Sequence, residues 1–141
     1  MKKILLATDG SEDAKKAGDM AASFLDVFPE ATLVGLFVMH PSYLGTGMGI
    51  VVETLNDTLE TLAKDIEQQF HAQFAAYADR VRFISEFGAP AISICETAKR
   101  EGVDLIVIGS HGYGVVDRML LGSVSNSVVH RSHISTLVVK S

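Results

Sequence analysis

The most constraining feature of this chain is a buried-type strand followed at once by closely spaced glycines. Residues 105–108 form an unbroken apolar run, which is typical of a strand covered on both faces. Gly109 and Gly112 follow it, and Gly122 precedes a segment that can form a helix. Such a loop leaves backbone N–H groups free to point at an anion, and the dipole of the following helix favours negative charge. The segment therefore predicts a phosphate-binding site.

The rest of the chain alternates between strand-like and helix-like segments. Continuous or alternating apolar runs predict strands at 3–8, 32–39, 81–87, 105–108 and 136–139. Apolar stripes at steps of three and four predict helices at 12–28, 51–74, 90–101 and from 123 onward. Residues 41–49 are glycine-rich without periodicity, which predicts a loop. This order predicts an α/β fold, a doubly wound parallel sheet with helices on both faces.

Length, charge and cysteine use narrow the class of protein. A chain of 141 residues without linkers or repeats predicts one domain, 1–141. The net charge of −5 argues against non-specific nucleic-acid binding, which depends on basic clusters. The lone Cys95 favours a reducing compartment. The opening apolar run, residues 4–7, is too short for a signal peptide or a membrane span, so we expect a cytoplasmic protein without membrane insertion.

The predicted sheet indicates where a ligand would bind. Ligands of open parallel sheets collect at the carboxyl ends of the strands, where the strand order reverses. Five strands of this kind wind most often as 3-2-1-4-5 or 2-1-3-4-5, and the residues alone leave both open. In the first order Asp9 and Gly109 lie side by side. A carboxylate can accept hydrogen bonds from ribose hydroxyls while the loop holds phosphates, so the hypothesis is a nucleotide site.

Three common phosphate-binding patterns do not fit. The G-x-x-x-x-G-K-[ST] motif is absent, and no G-x-G-x-x-G follows the first strand. A phospho-acceptor receiver domain would need further acids beside Asp9 and a lysine near the fifth strand.

One family does fit. Gly109-Ser110-His111-Gly112, followed by nine residues and then Gly122-Ser123, resembles the G-x2-G-x9-G-[ST] motif of universal stress proteins, in the subgroup that binds ATP. The opening KKILLATDGSE, the turn at 87–90 and the closing STLVVK extend the resemblance over the whole chain. The resemblance implies a five-stranded parallel sheet in the order 3-2-1-4-5, and two chains paired through the last strand.

The resemblance also implies roles for residues of the first two strands. Asp9 would contact the ribose, and the backbone of Val38 would meet the adenine edge. Ala7 and Thr8 would line the same pocket.

For the phosphates, the resemblance implies residues on either side of 113–121. Gly109 and Gly112 would let the loop pass close to the ribose and proximal phosphates, and the distal phosphates would be held by Gly122, Ser123, Val124 and Ser125. The ligand would be ATP, ADP or AMP. Mg²⁺ or Mn²⁺, if bound, would be held by phosphate oxygens, since we see no carboxylate cage. Asp117 places a negative charge near these phosphates, which Arg118 offsets.

Plainer roles compete with these assignments. Asp9 or Ser123 could simply cap a helix. His111 could touch phosphate or act as an acid, although a loop histidine is more often just solvated. His130 and His133, three residues apart, are weak grounds for a metal site.

Three functions remain open at this point. The loop has groups to hold ATP and few to cleave it, which favours an ATP-binding regulatory protein with slow or absent hydrolysis. A phosphotransfer or hydrolytic enzyme using His111 or Asp9 is the second hypothesis, and a nucleotide-free dimerising adaptor is the third. In the order 3-2-1-4-5 the strand from Thr136 to Val139 lies at an edge, which favours a homodimer joined there.

Overall fold

The computed structural model describes residues 1–41, 52–112 and 121–140. The loop predicted at 41–49 falls outside these ranges apart from Pro41, and so does most of the segment between Gly112 and Gly122, with Asp117 and Arg118.

Five parallel strands form one sheet in the order β3-β2-β1-β4-β5. They are β1 (Lys3–Ala7), β2 (Thr32–Met39), β3 (Val81–Phe87), β4 (Leu105–Gly109) and β5 (Ser135–Val139). The helices are α1 (Glu12–Val27), α2 (Val52–Gln73), α3 (Pro90–Glu101) and α4 (Ser123–Arg131), and a short 3₁₀ helix spans Ala75–Arg80. The predicted fold class is confirmed, and of the two strand orders the structure has 3-2-1-4-5. The 3₁₀ helix was not predicted.

Helices cover both faces of the sheet because successive strand residues point in opposite directions. Leu6 and Val107 pack on the face covered by α1 and α2, together with Phe70. Leu5 and Ile106 pack on the face covered by α3 and α4. Double coverage explains the unbroken apolar runs of the central strands. Edge strand β3 instead contains only half-buried and exposed residues.

An arginine from the 3₁₀ helix closes the end of α1. The Arg80 guanidinium donates hydrogen bonds to four backbone carbonyls, those of Leu25, Phe28, Pro29 and Ala31, over 2.8–3.2 Å. Carbonyls at a helix C-terminus lack intrahelical donors, and a cation there also interacts well with the helix dipole. Arg80 therefore joins α1, the turn after it and the start of β2.

At the amino ends of the strands, Asp104 joins two neighbouring strands. Asp104 accepts hydrogen bonds from the backbone N–H groups of Lys2 and Lys3 at 2.7 and 2.9 Å. These two bonds lower the pKa of the Asp104 carboxyl below its usual value. They join the starts of β1 and β4, the two strands at the centre of the sheet.

None of the described helices has both the length and the apolar character needed to cross a bilayer. The cytoplasmic location and the single domain remain predictions of the sequence.

We predict that Arg80→Ala lowers the free energy of unfolding by about 2 kcal/mol, because it leaves four carbonyls without their charged donor, and the bonds to Leu25 and Ala31 are partly buried. Urea unfolding followed by circular dichroism measures the change. Arg80→Lys should recover only part of it, because an ammonium group cannot span the same carbonyls. The matched control is Arg100→Ala, which removes an exposed ion pair to Glu86 and should cost about 0.5 kcal/mol. Equal losses in the two alanine variants would contradict the assigned role.

Candidate functional site

The carboxyl ends of β1 and β4 lie next to each other. Ala7 is in register with Ile108 on one side and with Leu36 on the other. The amide of Thr8 continues the ladder with a 2.9 Å bond to the Leu36 carbonyl. The turn that carries Asp9 therefore begins beside the loop that starts at Gly109.

Asp9 is fixed in this turn by its own backbone neighbours. Its Oδ1 accepts a 2.9 Å hydrogen bond from the N–H of Ser11, and Gly10 adopts a left-handed φ of 80°. The N-cap of α1 is Ser11, whose Oγ accepts from the amide of Ala14. The alternative that Asp9 caps the helix is therefore wrong.

The second oxygen of Asp9 faces the glycine loop, residues 109–112. A Cβ atom at Gly112 would overlap Oδ2 of Asp9, so only glycine fits there with the carboxylate in this position. Asp9 is half-buried and Gly112 is exposed. A carboxylate oxygen thus meets the loop at the surface, where a ligand can reach both.

The other two motif glycines are close-packed. A Cβ atom at Gly109 would lie 2.8 Å from the backbone of Asp13 in α1, and one at Gly122 would lie 3.0 Å from the carbonyl oxygen of Ser110. The amide of Gly122 donates to that carbonyl at 2.8 Å, and so does the hydroxyl of Ser125. The start of α4 is therefore bound directly to the end of β4.

The first turn of α4 differs from that of α1 in how it is capped. Gly122 is the N-cap residue and Ser123 is the first helical residue, so a capping role for Ser123 is wrong by one position. Among the described residues, no side chain caps this end and its first turn contains no acid. Helix α1, by contrast, has the cap Ser11 and two acids in its first turn. The amides at the start of α4, up to Ser125, are the kind of group that binds phosphate.

His111 is buried. Its side chain belongs to a residue only 8% exposed, and its Nδ1 lies 3.0 Å from Oγ of Ser110 and 3.5 Å from Oδ2 of Asp13. The expectation of a solvated loop histidine is therefore wrong. Asp13 itself is 4% exposed and was missed as a site residue. Its spacing was a usable signal, since Asp13 lies four residues before Ala17 on the buried stripe of α1.

An apolar patch completes the edge. Strand β2 runs on past Leu36, the last residue in register with β1, so Val38 lies beyond the tip of β1. Ala7 and Val38 belong to one buried cluster, against which Val124 packs. The structure thus places all the predicted residues around the carboxyl ends of the strands. Val38 lies two positions past the β1 ladder, and Gly109 is packed against α1.

Comparison with known proteins identifies the family. The model of the universal stress protein family matches residues 1–140. This chain belongs to the universal stress protein family. A relative, universal stress protein MJ0531 of Methanocaldococcus jannaschii, is 32% identical over 143 residues, covering 99% of this chain and 82% of that protein.

Solved structures of the family share the fold. Protein MJ0577, also of Methanocaldococcus jannaschii, is 29% identical with a TM-score of 0.80, covering 99% of this chain and 96% of that one. Universal stress protein UspA from Lactobacillus plantarum is 25% identical with a TM-score of 0.83, covering 99% and 97%. The sequence-based resemblance to the family is confirmed.

A cavity of about 560 Å³ lies between α1 and α2, lined by Leu6, Ile66 and Phe70 and by polar groups that include Gln73. It reaches the turn after β1, since Thr8 and Gly10 also line it. It is on the opposite face of the sheet from Val38. Within the described ranges, no group of three or more histidine, cysteine or acidic residues could hold a metal ion.

Proposed function

We propose that this universal stress protein binds an adenine nucleotide at the joined tips of β1 and β4, and that it acts as a nucleotide-dependent regulatory factor in the stress response. The observation that carries the proposal is the contact between Oδ2 of Asp9 and Gly112, beside an uncapped helix. ATP is the proposed ligand, with ADP and AMP as smaller occupants of the same site.

The ribose and the phosphates would use different groups. Oδ1 of Asp9 already accepts the Ser11 amide, and Oδ2 is the oxygen that a ribose hydroxyl would approach across Gly112. The amides at the start of α4 would receive the distal phosphates, because backbone donors and the helix dipole both favour an anion there. Ser123 is exposed at this end and can add its hydroxyl.

The base would lie on the apolar side of the edge. Ala7 and Val38 are buried on the same face, and the backbone of Val38 extends past the β1 ladder, where it can meet the adenine edge. Thr8 would line the pocket, although its hydroxyl accepts a hydrogen bond from the Gly10 amide. A Mg²⁺ or Mn²⁺ ion would be held by the phosphates, since the described residues offer it no cage.

Two solved structures that share this fold contain adenine nucleotides. One is a universal stress protein in complex with cAMP, with a TM-score of 0.74 and 24% identity. The other is a family protein from Arabidopsis thaliana with AMP bound, with a TM-score of 0.68 and 17% identity. At these identities the likeness concerns the fold alone, so the proposal for this chain depends on its own residues.

The site favours holding ATP over cleaving it. Hydrolysis needs a group that positions water and a cation on the leaving phosphate. His111 is buried against Ser110 and Asp13, which removes it from the role of a solvent-facing acid or base. We therefore propose slow or absent hydrolysis.

We predict that Asp9→Asn weakens ATP binding about tenfold, because an amide oxygen accepts a ribose hydrogen bond less strongly than a carboxylate does. Gly112→Ala should weaken it at least as much, since its methyl group displaces the carboxylate. Isothermal titration calorimetry measures both constants.

Asp104→Asn is the matched control, because it makes the same chemical change at the opposite end of the sheet. It should leave ATP affinity unchanged. Wild-type protein that neither retains nucleotide on purification nor binds ATP in the calorimeter would refute the proposal and favour a nucleotide-free adaptor.

For hydrolysis, we predict a single-turnover rate with purified protein and radiolabelled ATP that stays close to the uncatalysed background. The reason is the burial of His111, the only histidine of the motif. A rate far above background that collapses in His111→Ala would contradict this and establish an enzyme.

We further propose a homodimer through the terminal strand. In the described residues β5 pairs with β4 alone, and the Val139 carbonyl accepts from Ser110 toward β4. Alternation along a strand then directs the backbone groups of Thr136 and Val138 to the outer edge. A second copy could pair there antiparallel about a two-fold axis.

Val138→Pro should convert the dimer to a monomer at micromolar concentration, because proline removes a donor from the outer edge. Analytical ultracentrifugation measures the state, and circular dichroism checks that the variant is folded. Val138→Thr retains both the N–H group and the β-branched shape, and it should remain dimeric. Wild-type protein that sediments as a monomer would contradict the proposed interface.

A further inference from the structure

We propose that Asp13 is a positioning residue for the nucleotide site. It fixes the conformation of the glycine loop through its contacts with Ser110 and His111. The inference rests on the proposed nucleotide binding, and it adds a residue outside the family motif. Asp13 would not touch the nucleotide. It would hold the loop in the conformation that places Gly112 against Asp9.

The three side chains form a buried polar cluster. Oδ2 of Asp13 lies 3.2 Å from Oγ of Ser110 and 3.5 Å from Nδ1 of His111, and those two atoms lie 3.0 Å apart. The residues are 4%, 2% and 8% exposed. A carboxylate at such a depth is costly unless it is hydrogen-bonded, so the cluster stabilises one arrangement of the loop against the helix.

Ser110 is held on two sides. Its hydroxyl meets Asp13 of α1, while its carbonyl accepts from the Gly122 amide and the Ser125 hydroxyl at the start of α4. This residue therefore connects the two helices that begin at the site. The tight fit of Gly109 against the Asp13 backbone leaves little room for the loop to shift relative to α1.

Asp9 and Asp13 lie on either side of Ser11, the N-cap residue of α1. Asp9 is bonded to the Ser11 amide, and Ser11 caps the helix through Ala14. The two acids thus meet successive parts of the loop, Asp13 at Ser110 and His111 and Asp9 at Gly112. Fixing the first contact fixes the second, which is the preorganisation that a ribose-binding carboxylate needs.

The cluster is not a nucleophilic triad. Ser110 is 2% exposed and its hydroxyl lies between Asp13 and His111, so no substrate atom can reach it. We therefore assign the cluster to positioning of the glycine loop. If this is its role, changing Asp13 should alter ATP affinity through the placement of Asp9.

The test is a double-mutant cycle on ATP affinity with full-length protein. Asp13→Asn is nearly isosteric and removes the charge, and we expect it to weaken ATP binding about fivefold. Because Asp13 acts through the placement of Asp9, Asp9→Asn combined with Asp13→Asn should weaken binding clearly less than the product of the single effects. Glu12→Gln is the matched control, an exposed acid of the same helical turn, and should leave affinity unchanged.

A merely structural role for Asp13 predicts a different pattern, namely lower stability with unchanged affinity of the folded protein, or effects that multiply fully with Asp9→Asn. Either result would overturn the inference. Nitrogen chemical shifts of the His111 ring, measured by NMR, should move in Asp13→Asn and stay in place in Glu12→Gln. If Asp13→Asn fails to fold, Ser110→Ala replaces it in the same cycle.

Failure of the proposed function is distinguishable from failure of this inference. If wild-type protein binds no ATP, the nucleotide proposal fails, and the loop is then judged in the ligand-free protein by hydrogen exchange. Faster exchange of the Gly112 amide in Asp13→Asn, with Glu12→Gln unchanged, would support the positioning role. Unchanged exchange and an unmoved His111 ring would overturn it.

Discussion

The parallel pairing of β1 with β4 is the constraint on which the other features depend. These strands lie at the centre of the sheet, and their register from Ile4 with Leu105 to Ala7 with Ile108 fixes which residues leave the sheet together. A shift by one residue would turn every side chain to the opposite face, which is buried as well but against different helices. The apolar clusters on the two faces fix this register, and the register places Asp9 beside Gly109.

Close packing at the glycines fixes how the segments after β1 and β4 lie against each other. Gly35 shows the same principle away from the site, since the Phe70 ring lies where its Cβ atom would be. At the edge, Gly109 admits α1, Gly122 admits the Ser110 carbonyl, and Gly112 admits a carboxylate oxygen. Two of these contacts are packing within the protein, and only the third involves a charged group near the surface. The spacing of the motif thus reflects the architecture of the strand tips as much as ligand contact.

Much of this could be predicted from the sequence, because local patterns report burial directly. The unbroken run at 105–108 indicated a strand covered on both faces, and Pro90 with Gly102 marked the two ends of α3. What the sequence hid were contacts between distant segments. Arg80 lies about fifty residues from the carbonyls it binds, and no local pattern announces that pairing.

The burial of His111 was hidden for the same reason. A histidine between glycines resembles a surface residue until its neighbour across the fold, Asp13, is known. The stripe through Ala17 and Ala21 did mark position 13 as buried, and a buried acid requires a partner. A charged residue on an apolar stripe is therefore a signal in its own right.

Helices α1 and α4, which begin near the carboxyl ends of β1 and β4, differ in how their first turns are capped. Helix α1 satisfies its own first turn, with Ser11 as cap and with Glu12 and Asp13 opposing the dipole. An anion approaching α1 would meet negative charge, while one approaching α4 meets backbone donors without a competing acid in the first turn. Under the proposed function, phosphate would therefore bind at the start of α4 and not at the start of α1. A polyphosphate would consequently extend from Asp9 toward Ser123, and the direction of the ligand follows from how each helix is capped.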